Sequence, residues 1–281
     1  MEFTSVEGEQ RWAALVRAAA TTVVGLDFDG TLSPIVDDPA LAHIHPEASD
    51  VLVALAEQVA AVAVITGRPA RQALDLGGLE EVGQAVGDAG KELYLFGQYG
   101  NERWTSTDRR VISPRPPHGL SSFLRDLPRL LRRADADGAY VEEKGLAVAV
   151  HTRRLPDADE AFARLLPEVR ELAERHELVV EPGRNVIEVR SPGMHKGLAV
   201  DRLVQEVDAG GFLFAGDDLG DLEAFEAVDA LAKGGMPTLL VCSASDEQNA
   251  LVEHSDVVVK GPEGVLDLLR RFTGEAGELR A

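Results

Sequence analysis

Two carboxylates one residue apart, Asp27 and Asp29, close the apolar run Val23-Val24-Gly25-Leu26 and are followed by Gly30-Thr31. A short apolar run bounded by turn residues reads as a buried strand. Two carboxylates at the end of such a strand are costly to assemble unless a cation or a reaction uses them. Three further positions repeat the placement. Thr66 follows the run Ala61–Ile65, Lys196 opens a helical pattern, and Asp217, Asp218 and Asp221 follow a strand pattern ending at Ala215. Open α/β sheets bind ligands beyond the carboxyl ends of their strands, so these loops mark a place where something anionic or metallic is handled.

The elements that must position these residues follow from periodicity. Asp50 to Ala60 places Val51, Leu52, Leu55 and Val59 on one helical face, with Asp50 able to cap it, and the continuous run Ala61–Ile65 then ends at Thr66-Gly67-Arg68-Pro69. Helix, buried strand and Gly/Pro loop form a βα unit of a parallel sheet. The pattern breaks at Ser113-Pro114-Arg115-Pro116-Pro117-His118-Gly119, which has linker composition. From Gly138 to Arg190 it changes character: strand-like runs at Ala139–Lys144 and Leu146–His151, a helix with Phe162, Leu165, Leu166, Val169 and Leu172 on one face, then runs at Leu178–Glu181 and Val186–Arg190. The doubly wound pattern resumes with a helix over Lys196–Val207 and strands at Phe212–Gly216, Thr238–Cys242 and Val257–Val259. Residues 1–114 and 192–281 are therefore expected to form one α/β core, and 115–191 a smaller inserted α+β unit. Met1–Ala20 reads as either a docked helix or a lead-in, and the tail after Phe272 as polar and mobile.

The composition bounds the function. A formal charge of −20 offers no counterion-release energy to nucleic acid or an anionic membrane, so neither is expected as a partner. Any anionic substrate must be held by a local cluster of cations and N–H groups. The one cysteine, Cys242, lies in an apolar stretch and reads as a core residue, consistent with a reducing compartment. No stretch of about 18 apolar residues occurs, and a cytoplasmic location is expected.

In order and spacing, Asp27-x-Asp29-Gly30-Thr31, Thr66, Lys196 and Gly216-Asp217-Asp218-Leu219-Gly220-Asp221 resemble the haloacid-dehalogenase-like (HAD) phosphatase superfamily along nearly the whole chain. The resemblance implies a Rossmann-like α/β core with a parallel sheet, plus the inserted α+β cap. It implies that Asp27 is a nucleophile forming an aspartyl-phosphate and Asp29 the general acid and base. Carboxylates beside an anion need a hard cation, and Mg²⁺ with oxygen ligands suits them; the implied ligands are Asp27, the Asp29 carbonyl and Asp217, with Asp218 and Asp221 orienting waters or other ligands. Thr66 and Lys196 would grip the phosphoryl oxygens, and backbone N–H groups around Gly30 would close the cradle.

Within that superfamily, Asp27–Ile35, Thr66-Gly67-Arg68, Glu142-Glu143-Lys144, His151-Thr152-Arg153, Pro182–Glu188 and Lys196-Gly197 look like trehalose-6-phosphate phosphatase. The fourth motif departs from the family's usual GDDxTDE at Gly220 and Leu222, and Gln98-Tyr99-Gly100-Asn101-Glu102 only partly matches the family's Gly-Asn-His-Gly-type loop. The implied activity is Mg²⁺-dependent hydrolysis of trehalose 6-phosphate, a phosphorylated disaccharide, with Arg68, Glu142, Lys144, His151, Arg153, Arg184 and Glu188 binding substrate, and with coupling to trehalose-6-phosphate synthase. Period-two alternation agrees: Leu146, Val148 and Val150 share one face, leaving Ala147, Ala149, His151 and Arg153 on the other, a polar surface that suits a polyol. The alternatives are a related sugar phosphatase of sucrose-phosphate or mannosyl-phosphoglycerate type, and a non-catalytic sugar-phosphate sensor or scaffold. A pure binder gains nothing from a general acid, which counts against the last.

Overall fold

The computed structural model of the chain describes residues 1–36, 38–183, 185–245 and 251–280. It divides into two compact units, Met1–Ser113 with His195–Ala281, and Pro114–Met194. The first unit begins with β1 (Glu2–Phe3), α1 (Val6–Arg17), β2 (Thr22–Leu26), α2 (Ala48–Gln58), β3 (Ala61–Ile65), α3 (Ala70–Gly77), α4 (Leu79–Asp88), β4 (Leu93–Gly97) and β5 (Glu102–Thr105). The insertion carries α5 (His118–Arg133), β6 (Tyr140–Glu143), β7 (Ala147–His151), α6 (Ala158–Arg175), β8 (Val179–Gly183) and β9 (Val186–Arg190). The first unit is completed by α7 (Gly197–Val207), β10 (Gly211–Gly216), α8 (Leu222–Lys233), β11 (Thr238–Ala244), β12 (Val257–Lys260) and α9 (Gly261–Arg280).

The large sheet runs β1-β12-β11-β10-β2-β3-β4-β5, with only its two outer pairings antiparallel. Its strands are apolar on both faces because both are covered. Val24, Leu26, Val62, Val64, Leu213 and Ala215 pack with Trp12, Leu52, Leu74, Val82 and Leu269. Val23, Ala63, Ile65, Phe212 and Phe214 pack on the other side with Val200, Leu203, Phe225 and Val228. β2, β3 and β10 lie side by side and parallel, so their carboxyl ends, and the loops that follow, share one edge. Among the described residues no helix is long and apolar enough to cross a membrane.

Three local expectations change. Asp50 does not cap α2: the helix starts two residues earlier with Glu47 at the cap position, and Asp50 sits in its first turn, where an acid still favours the helix dipole. The tail is not loose, because Val265, Leu268, Leu269, Phe272 and Ala276 extend one buried stripe along α9. Trp12 of α1 meets Phe272 edge-on at 5.6 Å, and its Nε1 donates to Glu275 at 2.7 Å, so the two ends of the chain hold each other.

The insertion's sheet is antiparallel, in the order β6-β7-β9-β8. Val148, Val150, Ile187 and Val189 pack against Leu165, Val169 and Leu172 of α6 and Phe123, Leu127 and Leu130 of α5. The α5 helix has no counterpart in the sequence reading. It follows the proline-rich linker and contains Pro128, yet Leu120, Phe123, Leu127 and Leu130 keep a helical stripe that packing sustains.

Candidate active site

The Asp27–Ser33 loop is built by leaving a strand gradually. Asp27 continues the β2–β10 ladder by donating its N–H to the Ala215 carbonyl at 2.9 Å. Phe28 turns into the core with no exposure, and the N–H groups of Leu32 and Ser33 both reach its carbonyl, at 2.9 and 2.8 Å. Gly30 adopts φ +69°, and a Cβ there would lie 2.1 Å from Asp217 Oδ2, so only glycine fits between the two acidic loops. Of the backbone N–H groups around Gly30 expected to close a phosphate cradle, that of Gly30 itself donates to the Ser33 carbonyl at 2.7 Å. What Gly30 gives the site is room.

Around Asp27 the structure gathers Lys196, Asp217 and Asp221, all buried. Lys196 Nζ donates to Asp27 Oδ1 at 2.5 Å and to Asp221 Oδ1 at 2.7 Å. Lys196 is the N-cap residue of α7, which fixes the root of its side chain. Asp221 Oδ2 accepts the Asp217 N–H at 3.1 Å, and Asp218 caps the short 3-10 turn Leu219–Asp221 through the Gly220 N–H at 2.8 Å. The two acids grouped together in sequence thus separate in space. Asp218 shapes the turn, whereas Asp221 reaches under Lys196 and joins Asp27 and Asp217 in a group whose ligand oxygens all lie within 4.8 Å of one another.

Three carboxylates beside one ammonium in a buried place resist full ionisation. Burial, then the neighbouring Asp221, pushes Asp27 well above the usual carboxylate range against the pull of Lys196. Asp217 is pushed up to about 10 by burial first and by Asp27 and Asp218 next. Burial alone would lower Lys196, but the carboxylates of Asp221 and Asp27 overcome it and hold the ammonium charged. An all-oxygen, over-charged donor set of this kind fits a hard divalent cation. The linkage has a definite sign. With a folded pKa of about 10 against roughly 3.9 unfolded, Asp217 binds a proton only in the folded state between those values, so its contribution to stability falls as pH rises. A cation that replaces the proton cancels the loss. The rise in melting temperature on adding MgCl₂ to EDTA-treated protein should therefore be larger at pH 8.5 than at pH 6, with proton release on binding; an equal rise at both would show that these carboxylates are not the ligands.

Asp29 faces a different partner. Its carboxylate is 43% exposed and accepts Arg68 Nε at 2.7 Å and Nη2 at 2.6 Å, a bidentate pair. Arg68 is itself buried over the Phe28 ring, 5.4 Å from its centroid, and gives its remaining Nη1 to the Pro39 carbonyl. The guanidinium assigned from sequence to substrate is thus occupied in orienting the Asp29 carboxylate. Thr66 is buried, and its Oγ1 accepts the Arg68 N–H at 3.1 Å, which leaves the hydroxyl proton to be donated.

On the inserted unit, the β6–β7–β9–β8 register sets Glu142, Ala149, Glu188 and Glu181 in one row and Tyr140 beside His151 in the next. Lys144 Nζ donates to Glu188 Oε2 at 2.7 Å, and His151 Nε2 lies 2.9 Å from Glu142 Oε2. The polar face therefore exists and its groups hold one another in place. Arg153 lies beyond the strand: β7 ends at His151, the Thr152 N–H turns to the Asn185 carbonyl, and Arg153 is exposed in the following turn. The alternation expected to carry it stops two residues short. Arg184 lies outside the described residues.

Ser243 was not singled out in the sequence. It is fully buried at the carboxyl end of β11, and its Oγ donates to the Gly30 carbonyl at 2.6 Å, tying that strand to the Asp27–Ser33 loop. A polar residue closing a buried apolar run was the available signal, the same one that marks Asp27 and Thr66. Cys242 beside it is core, its thiol pushed up to about 11 by burial.

Comparison with known proteins now gives this geometry a family. A trehalose-phosphatase family model matches residues 25–257. An uncharacterized glycosyl hydrolase of Mycobacterium tuberculosis is 36% identical over 216 residues, covering 73% of this chain and 15% of that protein. A trehalose-phosphate phosphatase of Mycobacterium bovis is 31% identical over 225 residues, covering 75% of this chain and 52% of that protein. The chain thus spans about half or less of the length of these relatives. Among solved structures, the C-terminal domain of trehalose-6-phosphate phosphatase from C. albicans superposes with a TM-score of 0.75 over 97% of this chain and 98% of that one, at 20% identity, a likeness of fold. Given a family match that takes in every loop of the acidic cluster, the chain belongs to the trehalose-phosphatase family.

Proposed function

We propose that the chain hydrolyses trehalose 6-phosphate to trehalose and phosphate through an aspartyl-phosphate. One observation carries the reading: a buried carboxylate, Asp27, held by Lys196 through one oxygen, with a second carboxylate, Asp29, two residues away and oriented by Arg68. In the first step the free oxygen of Asp27 attacks phosphorus as the ester P–O bond breaks, and Asp29 delivers its proton to the departing sugar oxygen. In the second, Asp29 takes a proton from water as that water attacks phosphorus, and the bond to Asp27 breaks to release phosphate. Lys196 and Thr66 meet the phosphoryl oxygens, where charge is spread throughout the transfer. Asp27, Asp217 and Asp221 would hold Mg²⁺, which when bound neutralises charge on the phosphoryl group and the carboxylates.

Recognition of the sugar is assigned to Glu142, Lys144, His151 and Glu188, whose mutual ion pairs pre-orient donors and acceptors for hydroxyl groups. The reaction needs a supply of phosphorylated disaccharide, which couples it to a trehalose-6-phosphate synthase, in the cytoplasm. The test is phosphate release with MgCl₂ from trehalose 6-phosphate, sucrose 6-phosphate, mannosyl-phosphoglycerate and glucose 6-phosphate. We expect kcat/KM for trehalose 6-phosphate to exceed the others by at least about 10²-fold, or ~2.7 kcal/mol of discrimination. Equal turnover of glucose 6-phosphate would sink the disaccharide assignment; preference for another member of the set would transfer it.

A further inference from the structure

One loop at the carboxyl edge of the large sheet has no role in the reaction as described. Where β4 ends at Gly97, the next three residues, Gln98, Tyr99 and Gly100, take φ values of 49°, 58° and 92°. Glycine accepts such angles freely, whereas side chains with a Cβ are strained by them. Among the described residues, nowhere else do two adjacent non-glycine residues share this conformation.

The surroundings over-determine it. The Gln98 N–H donates to the Arg68 carbonyl at 2.9 Å and the Tyr99 N–H to the Thr66 carbonyl at 3.0 Å, so the loop is docked on the backbone of the phosphoryl-gripping segment. Asn101 closes it by donating Nδ2 to the Gln98 carbonyl at 2.9 Å. On its other side, a Cβ on Gly100 would stand 3.3 Å from Ala199, in the first turn of the helix that Lys196 caps. The loop is thus wedged between two elements that carry catalytic side chains. Gln98 and Gly100 are buried, while Tyr99 between them stays partly exposed. The phenol end of Tyr99 takes the space that Gly67 leaves: a Cβ on Gly67 would lie 2.8 Å from Tyr99 Cζ and 2.9 Å from its hydroxyl oxygen.

Strained backbone that the surroundings hold in place gathers at ligand sites. If this loop served packing alone, glycine or asparagine at position 99 would adopt the same turn at less cost. The strain is sustained for a tyrosine, at the end of the strand next to Thr66. We propose that Tyr99 is a substrate-binding residue, its ring and phenol hydroxyl contacting the sugar esterified to the phosphoryl group that Thr66 grips. An aromatic face covers the C–H surface of a pyranose, and a phenol can both donate to and accept from its hydroxyls. The inference deepens the proposed function and rests on it.

The test compares wild type, Tyr99→Asn, which suits the left-handed backbone, and Tyr99→Phe, which keeps the ring. Melting temperatures are measured with kcat and KM for trehalose 6-phosphate, glucose 6-phosphate and p-nitrophenyl phosphate. Tyr99→Asn should raise KM for the sugar phosphates by about tenfold, the combined loss of a hydrogen bond and ring contact, with kcat within about threefold. Its kcat/KM for p-nitrophenyl phosphate should stay within about threefold and its melting temperature should hold or rise, while Tyr99→Phe falls between. A parallel loss on sugar and aryl phosphates, or no change on any, overturns the role of Tyr99. The wild-type values separately judge the disaccharide reading: equal turnover of glucose 6-phosphate defeats it and leaves the Tyr99 ratios interpretable. A wild type without sugar-phosphate turnover overturns both.

Discussion

Replacing Asp27 by asparagine will abolish turnover, by about 10⁴-fold or more in kcat, while the melting temperature holds or rises. The two halves of the result come from different links of the chain from sequence to function. Asparagine has the size of aspartate but lacks the anionic oxygen that the proposed reaction bonds to phosphorus, so the covalent route closes. Stability moves the other way because Asp27 stands in a cluster with more carboxylates than cations, where burial and Asp221 already disfavour its charge. Lys196 keeps Asp221 as a partner at 2.7 Å after the change. Steady-state rates, acid-quenched trapping of the phosphoenzyme and a thermal melt of the same preparation check the three parts. Retention of a tenth of the activity would contradict the aspartyl-phosphate, and a melt lowered by more than a few degrees would show that Asp27 has a structural role that the charge balance does not give it.

The positions of the candidate residues Asp27, Thr66 and Asp217 were legible in the sequence because each follows an apolar run, and a buried strand followed by a polar residue leaves little choice about where that residue emerges. Asp27 after Leu26, Thr66 after Ile65 and Asp217 after Gly216 all stand directly beyond a buried strand, where the apolar runs end. Their partnerships were not legible. Asp218 and Asp221 are equivalent acids in one dimension, and only the 3-10 turn that Asp218 caps brings Asp221 beneath Lys196. The bidentate pair of Arg68 and Asp29 joins residues 39 positions apart, on loops whose approach depends on the register of β2 with β3. The tightest constraint on Gly30, the 2.1 Å approach of a Cβ there to Asp217, joins loops far apart in the chain and could not be read from its place after a strand. Arg153 shows the limit of period-two reasoning, which holds only as far as the strand does. At the chain ends, the α9 stripe was hidden by the polar residues between Phe272 and Ala276, and the partner of Trp12 lies at the opposite end of the chain.

Lys196→Met will cost both stability and rate, and the two losses can be separated. Methionine fills much of the volume, but it leaves Asp27 and Asp221 facing each other without the ammonium that both accept from. Breaking a buried ion pair by removing one partner typically destabilises by about 3–5 kcal/mol. The deficit must depend on pH in a set direction. Losing the ammonium, whose pull lowers both groups, raises the folded Asp27 and Asp221 carboxyls still further above their unfolded range, so the folded variant binds more protons than the wild type and its deficit grows as pH rises. Urea unfolding should therefore show a deficit at pH 7 that shrinks at pH 5. A second substitution, Asp221→Asn, removes one of the stranded carboxyls and should recover about half of the lost stability at pH 7. It should recover none of the activity, since the ammonium proposed to meet the phosphoryl oxygens is still missing, and kcat should stay about 10³-fold down in both variants. If the double variant regains rate together with stability, Lys196 serves the fold alone and the phosphoryl charge is met elsewhere. If the deficit is the same at both pH values, the carboxylates are not what Lys196 neutralises, and the cluster read as a cation site loses its electrostatic basis.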